Sequence, residues 1–323
     1  MAELAEFALI HALQRRLQSA PADPDTLLGI GDDAALLRGH GVLAVALDTL
    51  NEGVHFFPGT DPADIGWKAL AVNLSDLAAM GAQPRWALLS LSLPQIEPGF
   101  VEAFMAGWQS LATSHGVQLI GGDTTRGPCS ISVTLLGQSA PQPLLRSAAQ
   151  AGDDLYLSGC CGEAAVGLAL RRGDLALADA NARTHLLRRL DRPQPRVALG
   201  QALAGAARAA IDVSDGLLAD LQHLLTASGG LGAELALESL PETSELHLAA
   251  PSLAQRRQWQ LAGGDDYELL FTAAPADREA IAAAAATAET PITRIGRLTP
   301  DSGIRLLQNG IVQEPPATGW RHF

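Results

Sequence analysis

The run from Pro62 to Gly81 constrains this chain more than any other stretch. Asp61 suits an N-cap, Pro62 suits the first helical position, and Asp64 suits the positive end of a helix dipole. Gly81 is placed to close the helix as a left-handed C-cap. Between these signals nearly every residue is apolar, so the spacing predicts a largely buried helix. Asp76 nevertheless sits inside that run, with Val72, Asn73, Ala79 and Met80 as its three- and four-spaced neighbours. An ionised carboxylate in such surroundings costs several kcal/mol unless donors or a cation meet it. Backbone amides or an arginine would meet it, and so would a metal ion; the rest of the chain bears on the choice.

The length of 323 residues accommodates two ordinary domains, each with its own core. The apolar share of 47% and charged share of 18% describe a soluble globular protein. No apolar run approaches the ~20 residues of a membrane span, and the acidic start Met1–Phe7 does not read as a signal peptide. Cys129 and the adjacent Cys160 and Cys161 offer neither a disulfide framework nor zinc spacing, so they fit a reducing cytoplasm. A formal charge of −13 argues against an extended nucleic-acid surface. Lys68 is the single lysine beside 21 arginines, and neither a P-loop nor a protein-kinase lysine pattern is present. If the chain handles nucleotide phosphates, metal ions must neutralise much of their charge.

Taken in order, residues 3–18 form an amphipathic helix, and short strands follow at 34–37 and 42–47. After the Pro62–Gly81 helix come a strand at 86–93, a helix at 98–114, an apolar strand at 117–120 running into Gly121–Gly127, and a strand at 130–138. The Pro-rich, polar stretch 140–152 is the best domain boundary, which divides the chain into 1–140 and 141–323. Beyond it, strands are expected at 155–157, 209–213 and 233–237, with helices near 162–172, 182–190, 196–208 and 274–287 and two short final strands. Strands alternating with helices make this an α/β (α+β) chain of two domains.

Aspartates recur beside glycine turns and apolar strands: Asp32-Asp33, Asp48, Asp123, Asp212 with Asp215, and Asp265-Asp266. Singly, each reads most simply as an N-cap or turn residue. Strand ends of open α/β sheets are also where ligands bind. Two unit charges ~4 Å apart repel by about 4 kcal/mol at an effective dielectric of about 20, so converging carboxylates require protons or cations. Oxygen ligands without His or Cys select magnesium or calcium, and magnesium is typically shared between carboxylates and a substrate phosphate. The residues therefore point to a magnesium-dependent phosphate or nucleotide site.

The segments Gly29–Asp33, Asp48-Thr49, Asn73–Gly81, Gly121–Gly127, Asp212–Gly216 and Gly264–Glu268, in this order and spacing, resemble the thiamine-monophosphate kinase family along essentially the whole chain, including Gly319–Phe323. The resemblance implies a fold shared with aminoimidazole ribonucleotide synthetase and selenophosphate synthetase, a homodimer paired through the N-terminal sheet, and a C-terminal domain covering the site. It implies in-line phosphoryl transfer from ATP to thiamine monophosphate. By the same resemblance Asp33, Asp48, Asp76, Asp123, Asp212 and Asp215 hold several Mg2+ ions, with Asp32 as a further or supporting ligand. Gly122, Asp123, Arg146 and Ser214 contact ATP, and His55, Glu268 and Trp320 form the acceptor pocket. The chain departs from the family at Ala46 and Leu47, where Ser or Thr is frequent, so a metal there turns to carbonyls, waters or Thr49. Two rivals stand beside this reading: a sister enzyme activating another acceptor, and a binding protein without turnover. The lack of any Cys before Cys129 weighs against a selenophosphate synthetase.

Overall fold

A computed structural model of the chain describes residues 23–28 and 35–314. The expected helix at 3–18, the Gly29–Asp33 turn and the Gly319–Phe323 end lie outside the described residues. The described chain divides into two units, one of residues through Leu77 with Ala82–Ser139, the other of Ala78–Gly81 with the chain from Ala140 onward.

In the first unit, β1 (Thr26–Leu28) and β2 (Leu36–Leu37) form a small antiparallel pair. A four-stranded sheet follows, built from β3 (Leu43–Asn51), β4 (Gln83–Leu93), β5 (Gln118–Arg126) and β6 (Ser130–Gln138) in the order β3-β6-β4-β5. Only β4 and β5 run parallel, and helix α2 (Pro98–His115) makes that crossover. Helix α1 (Pro62–Ala79) is capped as its sequence predicts: the Asp61 carboxylate accepts from the Ala63 amide at 2.9 Å, and Gly81 stands at φ 66°. The Ala82 amide returns to the Leu77 carbonyl at 2.9 Å, closing the last turn.

Two glycines let α1 and α2 touch backbone to backbone. A Cβ at Gly66 would lie 2.0 Å from the Phe104 carbonyl oxygen, and one at Gly107 would lie 1.8 Å from that of Ala63. The sheet then uses strand alternation to separate its faces. Leu50, Leu89, Leu91, Ile131 and Val133 are buried, while Val45 and Leu47 on β3 are 61% and 62% exposed.

The second unit holds a seven-stranded sheet. Its strands are β7 (Asp154–Ser158), β8 (Ala209–Val213), β9 (Gly232–Ala236), β10 (Glu268–Ala273), β11 (Ile292–Thr299), β12 (Gly303–Gln308) and β13 (Ile311–Gln313). They stand in the order β13-β12-β9-β11-β7-β10-β8, and only β12 and β9 pair in parallel. Its helices are α3 (Glu163–Arg172), α4 (Ala180–Asp191), α5 (Val197–Leu203), α6 (Leu217–Ala227), α7 (Ser244–Ala249), α8 (Leu253–Ala262) and α9 (Arg278–Thr287). Leu217, Leu221, Leu224 and Leu225 of α6 join Leu155, Leu157, Ile211, Val213, Leu235 and Leu270 of the strands in one core.

Several boundaries differ from the sequence reading. The Gly121–Arg126 segment is part of β5 rather than a loop, because Gly122 lets the neighbouring strand approach: a Cβ there would lie 1.9 Å from the Leu89 carbonyl oxygen. Helix α5 stops at Leu203, just before Gly205 at φ 87°, well short of the expected 208. Helices α7 and α8 were not expected, and three strands rather than two end the sheet.

The α1–α2 contact yields a direct prediction. Gly107→Ala should destabilise the protein by about 3 kcal/mol, because the intruding methyl meets rigid backbone. A urea midpoint equal to that of the wild type would refute this contact.

Candidate functional site

In β3, alternation puts Ala44, Ala46, Asp48 and Leu50 on one face and Val45, Leu47 and Thr49 on the other. Asp48 stands opposite Val133, which is fully buried, so it points to the covered face of the sheet. There its carboxyl meets that of Asp76 from α1 in a hydrogen bond. Burial holds Asp48 above its ordinary value, and the hydrogen bond with Asp76 works against that shift. Residues 28 positions apart in sequence thus form a carboxylate pair, which needs a shared proton or a cation to persist.

On the same helix, Asn73 is fully buried; its Nδ2 donates to the Ala69 carbonyl at 3.2 Å, and its Oδ1 has no partner among the described residues. The Thr49 hydroxyl lies on the opposite face from Asp48, 2.7 Å from the Ser132 hydroxyl. Register carries that row across the sheet from Ser132 to Ser90 and Asp123, and Asp123 is exposed. His55 follows β3 in a turn, and its Nδ1 accepts the Asn51 amide at 2.9 Å. That bond leaves Nε2 to carry the ring hydrogen as a donor.

In the second unit, β8 delivers Asp212, 4% exposed, into the Ser214-Asp215-Gly216 turn that starts α6. One side chain shapes this turn. Asp220 Oδ2 accepts the amides of Ser214, Asp215 and Gly216 at 3.0, 3.0 and 3.2 Å. Burial and the nearby Asp212 charge raise the Asp220 carboxyl to about 7, against the pull of those amides. Asp220 is the organising residue that sequence reasoning missed. Its signal is a carboxylate four positions after the turn glycine, inside the first turn of the helix, where free amides need an acceptor.

The Gly264–Tyr267 segment is seated on the same turn. The Asp265 amide donates to the Ser214 carbonyl and the Tyr267 amide to that of Val213, each at 2.8 Å. A Cβ at Gly264 would lie 2.5 Å from the Ser214 carbonyl oxygen, and Asp265 and Tyr267 both take left-handed φ, 66° and 52°. Reading Asp266 as a strand-mouth carboxylate open to a ligand needs correction. It is 1% exposed and accepts the amides of Gly162 at 2.8 Å and Ala164 at 3.4 Å, so it caps α3.

Glu268 is fully buried at the start of β10. The Ser158 hydroxyl donates to its Oε2 at 2.6 Å, Arg196 grips it with Nε and Nη2 at 2.6 and 2.5 Å, and Arg189 Nη2 lies 2.9 Å from Oε1. Arg189 reaches back with Nε to Glu163 at 3.1 Å. Both oxygens of Glu268 are thus engaged, and the groups this cluster can offer outward are the guanidiniums. Arg146 opens a short 3-10 turn with its side chain exposed, while its carbonyl accepts the Ser228 hydroxyl at 2.7 Å. Asp32, Asp33 and Trp320 lie outside the described residues.

The structure therefore joins Asp48 to Asp76, and sets Ser214 and Asp215 in one shaped turn beside Asp212. The Asp48–Asp76 pair tests whether a cation fits. Two half-buried carboxylates in hydrogen-bond contact, with no Cys or sulfur donor in the set, match a hard oxygen-seeking ion such as magnesium.

The protonation of Asp266 gives a stability prediction. Burial raises its carboxyl from 3.8 to about 8, so its contribution is full below 3.8 and is lost as pH rises through 8. Metal-free protein should melt at lower temperature at pH 8.5 than at pH 6. Asp266→Asn, which imitates the protonated acid, should flatten that slope; an unchanged slope in thermal scans would rule the assignment out.

Residues 31–139 match the N-terminal domain of AIR synthase related proteins, and residues 150–308 match their C-terminal domain. The thiamine-monophosphate kinase of Escherichia coli K12 is 43% identical over 323 residues, 98% of this chain and 97% of that protein. The crystal structure of thiamine-monophosphate kinase from Stenotrophomonas maltophilia K279a is 48% identical with a TM-score of 0.86, covering 97% of this chain and 99% of its own. The structure of AaThiL complexed with AMPPCP and TMP is 31% identical with a TM-score of 0.76, covering 100% and 99%.

Proposed function

Because the chain belongs to the thiamine-monophosphate kinase family, we propose that it transfers the γ-phosphoryl group of ATP to the phosphate of thiamine monophosphate, giving thiamine diphosphate and ADP. The observation that carries this reading is full-length similarity to AaThiL, whose structure holds AMPPCP and TMP together. Transfer is direct and in line, resting on positioning and charge neutralisation rather than on a protein nucleophile.

The residues that would hold magnesium are Asp32, Asp33, Asp48, Thr49, Asp76 and Asp123 in the first unit and Asp212 and Asp215 in the second. Magnesium, when bound, supplies neutralisation of charge on the transferring phosphate oxygens. Gly122, Asp123, Arg146 and Ser214 contact ATP; the absent side chain at Gly122 and the amide-pinned turn at Ser214 suit close approach of phosphate. His55 donates from Nε2 to the acceptor phosphate, and Trp320 stacks on the thiamine rings. Glu268 serves the acceptor pocket through Arg189 and Arg196, which it holds in place.

The enzyme acts as a homodimer, and the open face of the four-stranded sheet supplies the contact. Val45 and Leu47, 61% and 62% exposed, stand there with Leu43 and Leu88, an apolar group on one sheet face that a second copy would cover. Val45→Lys should convert the protein to monomer in light scattering, whereas a monomeric wild type would remove this assignment. Among the described residues no helix is long and apolar enough to cross a membrane. Its free thiols suit a cytoplasmic location.

The deciding experiment measures ADP release and thiamine diphosphate formation from magnesium-ATP, with and without thiamine monophosphate. Both products should depend on magnesium and on acceptor. Asp76→Asn should lower the rate at least ~1,000-fold while metal-free thermal stability is kept or raised, since a like-charge contact is removed. ADP release without thiamine diphosphate would indicate a sister enzyme with another acceptor.

A further inference from the structure

The seven-stranded sheet carries a row of alternating charge built from residues that have no role assigned above. Arg305 on β12, Glu234 on β9, Arg297 on β11 and Asp154 on β7 stand opposite one another in register. Arg297 Nε lies 2.8 Å from Glu234 Oε2, and Arg305 Nη2 lies 2.7 Å from Glu234 Oε1. Arg278, the first residue of α9, grips Asp154 with Nε at 2.6 Å and Nη2 at 2.9 Å.

A break in strand period adds a further guanidinium. Arg294 and Arg297 are three residues apart, so regular alternation would put them on opposite faces. The register shifts between Arg294 and Gly296, pairing Arg294 with Tyr156 and Arg297 with Asp154. Ile295 is the extra residue of this bulge and is fully buried, while both arginines return to the Asp154 face. Arg294 Nη1 accordingly lies 3.1 Å from Asp154 Oδ1. The bulge depends on Gly296, where a Cβ would lie 2.1 Å from the Glu234 carbonyl oxygen.

Arg278, Arg294 and Arg297 line a cavity of about 420 Å³, with Arg305 beside it, and Asp154 and Glu234 form part of its wall. Four guanidiniums face two carboxylates, a local excess of positive charge in a chain whose formal net charge is −13. Each guanidinium has five N–H donors, of which the carboxylates take only some; they hold the planar forks in place and leave further edges free. Forks held in this way match phosphate oxygens, and the cavity is an open one whose arginines are more than half exposed, so an anion reaches them from solvent.

We propose that this cavity binds the diphosphate group of a small molecule, using none of the residues assigned to phosphoryl transfer. The surplus charge and the number of forks suit two linked phosphates better than one carboxylate. A nucleoside diphosphate and the diphosphate ester of another alcohol share this chemistry.

The test is calorimetric titration of the full chain with inorganic pyrophosphate at low ionic strength, with EDTA present. With EDTA present, no metal ion bridges the probe to the carboxylates assigned to phosphoryl transfer. Saturable binding is expected, weakened at least tenfold by Arg294→Gln combined with Arg297→Gln and weakened by added salt. Absent binding, or equal binding by the double arginine variant, would overturn the proposal. Should that variant fail to fold, amide exchange on wild-type protein decides: pyrophosphate must slow exchange in β9 and β11, and no protection there refutes the site. ADP and thiamine diphosphate, titrated likewise, separate the two sources by which of them loses affinity in the double arginine variant; a loss for neither would overturn the proposal.

Discussion

A buried carboxylate has to be met by something, and the described acids of this chain are met in two different ways. Asp220 gathers three amides onto one oxygen, Asp266 caps α3, and Glu268 is held by Ser158 and two arginines. Those acids are answered by the protein itself, and the turns and helix starts around them depend on that answer. Asp48 and Asp76 meet each other instead. A pair of acids placed together on the covered face of a sheet holds together only with a shared proton or a cation, which makes it a candidate site.

The close backbone contacts serve the same end. Gly66 and Gly107 bring α1 and α2 together, and Gly122 admits the Leu89 carbonyl to β5. Gly264 lets the Gly264–Tyr267 segment sit on the Asp212–Gly216 turn, at the cost of left-handed φ at Asp265 and Tyr267. Glycine here is less a sign of loops than of places where two backbones need the same space. Gly296 does the same for the β11 bulge, and so turns two arginines toward one cavity.

Local signals made much of the chain readable. The α1 helix declares its ends through Asp61, Pro62 and Gly81, and its burial through a mostly apolar run. The aspartate segments pointed to a phosphate-handling chemistry, because many carboxylates beside a single lysine leave metal ions as the expected partners of phosphate charge. Gly121–Arg126 misled the reading, since glycines and an Asp look like a loop unless the neighbouring strand is known. Helices α7 and α8 escaped because their short, polar stretches carry too weak a periodicity.

By itself the sequence determined the α/β class, the capped helix, the order of the aspartate segments and the membership of a kinase family. These depend on residues near one another in the chain or on the linear order of motifs. Tertiary structure decided which acids are ligand candidates and which are structural, as the contrast of Asp76 with Asp266 shows. It also revealed Asp220 and gathered Arg278, Arg294, Arg297 and Arg305 around one cavity. The physical reason is that a charge is judged by what lies within hydrogen-bonding distance: for Asp220 those neighbours are four to six residues away, and elsewhere strand register and helix packing bring them from 28 to more than 100 residues away.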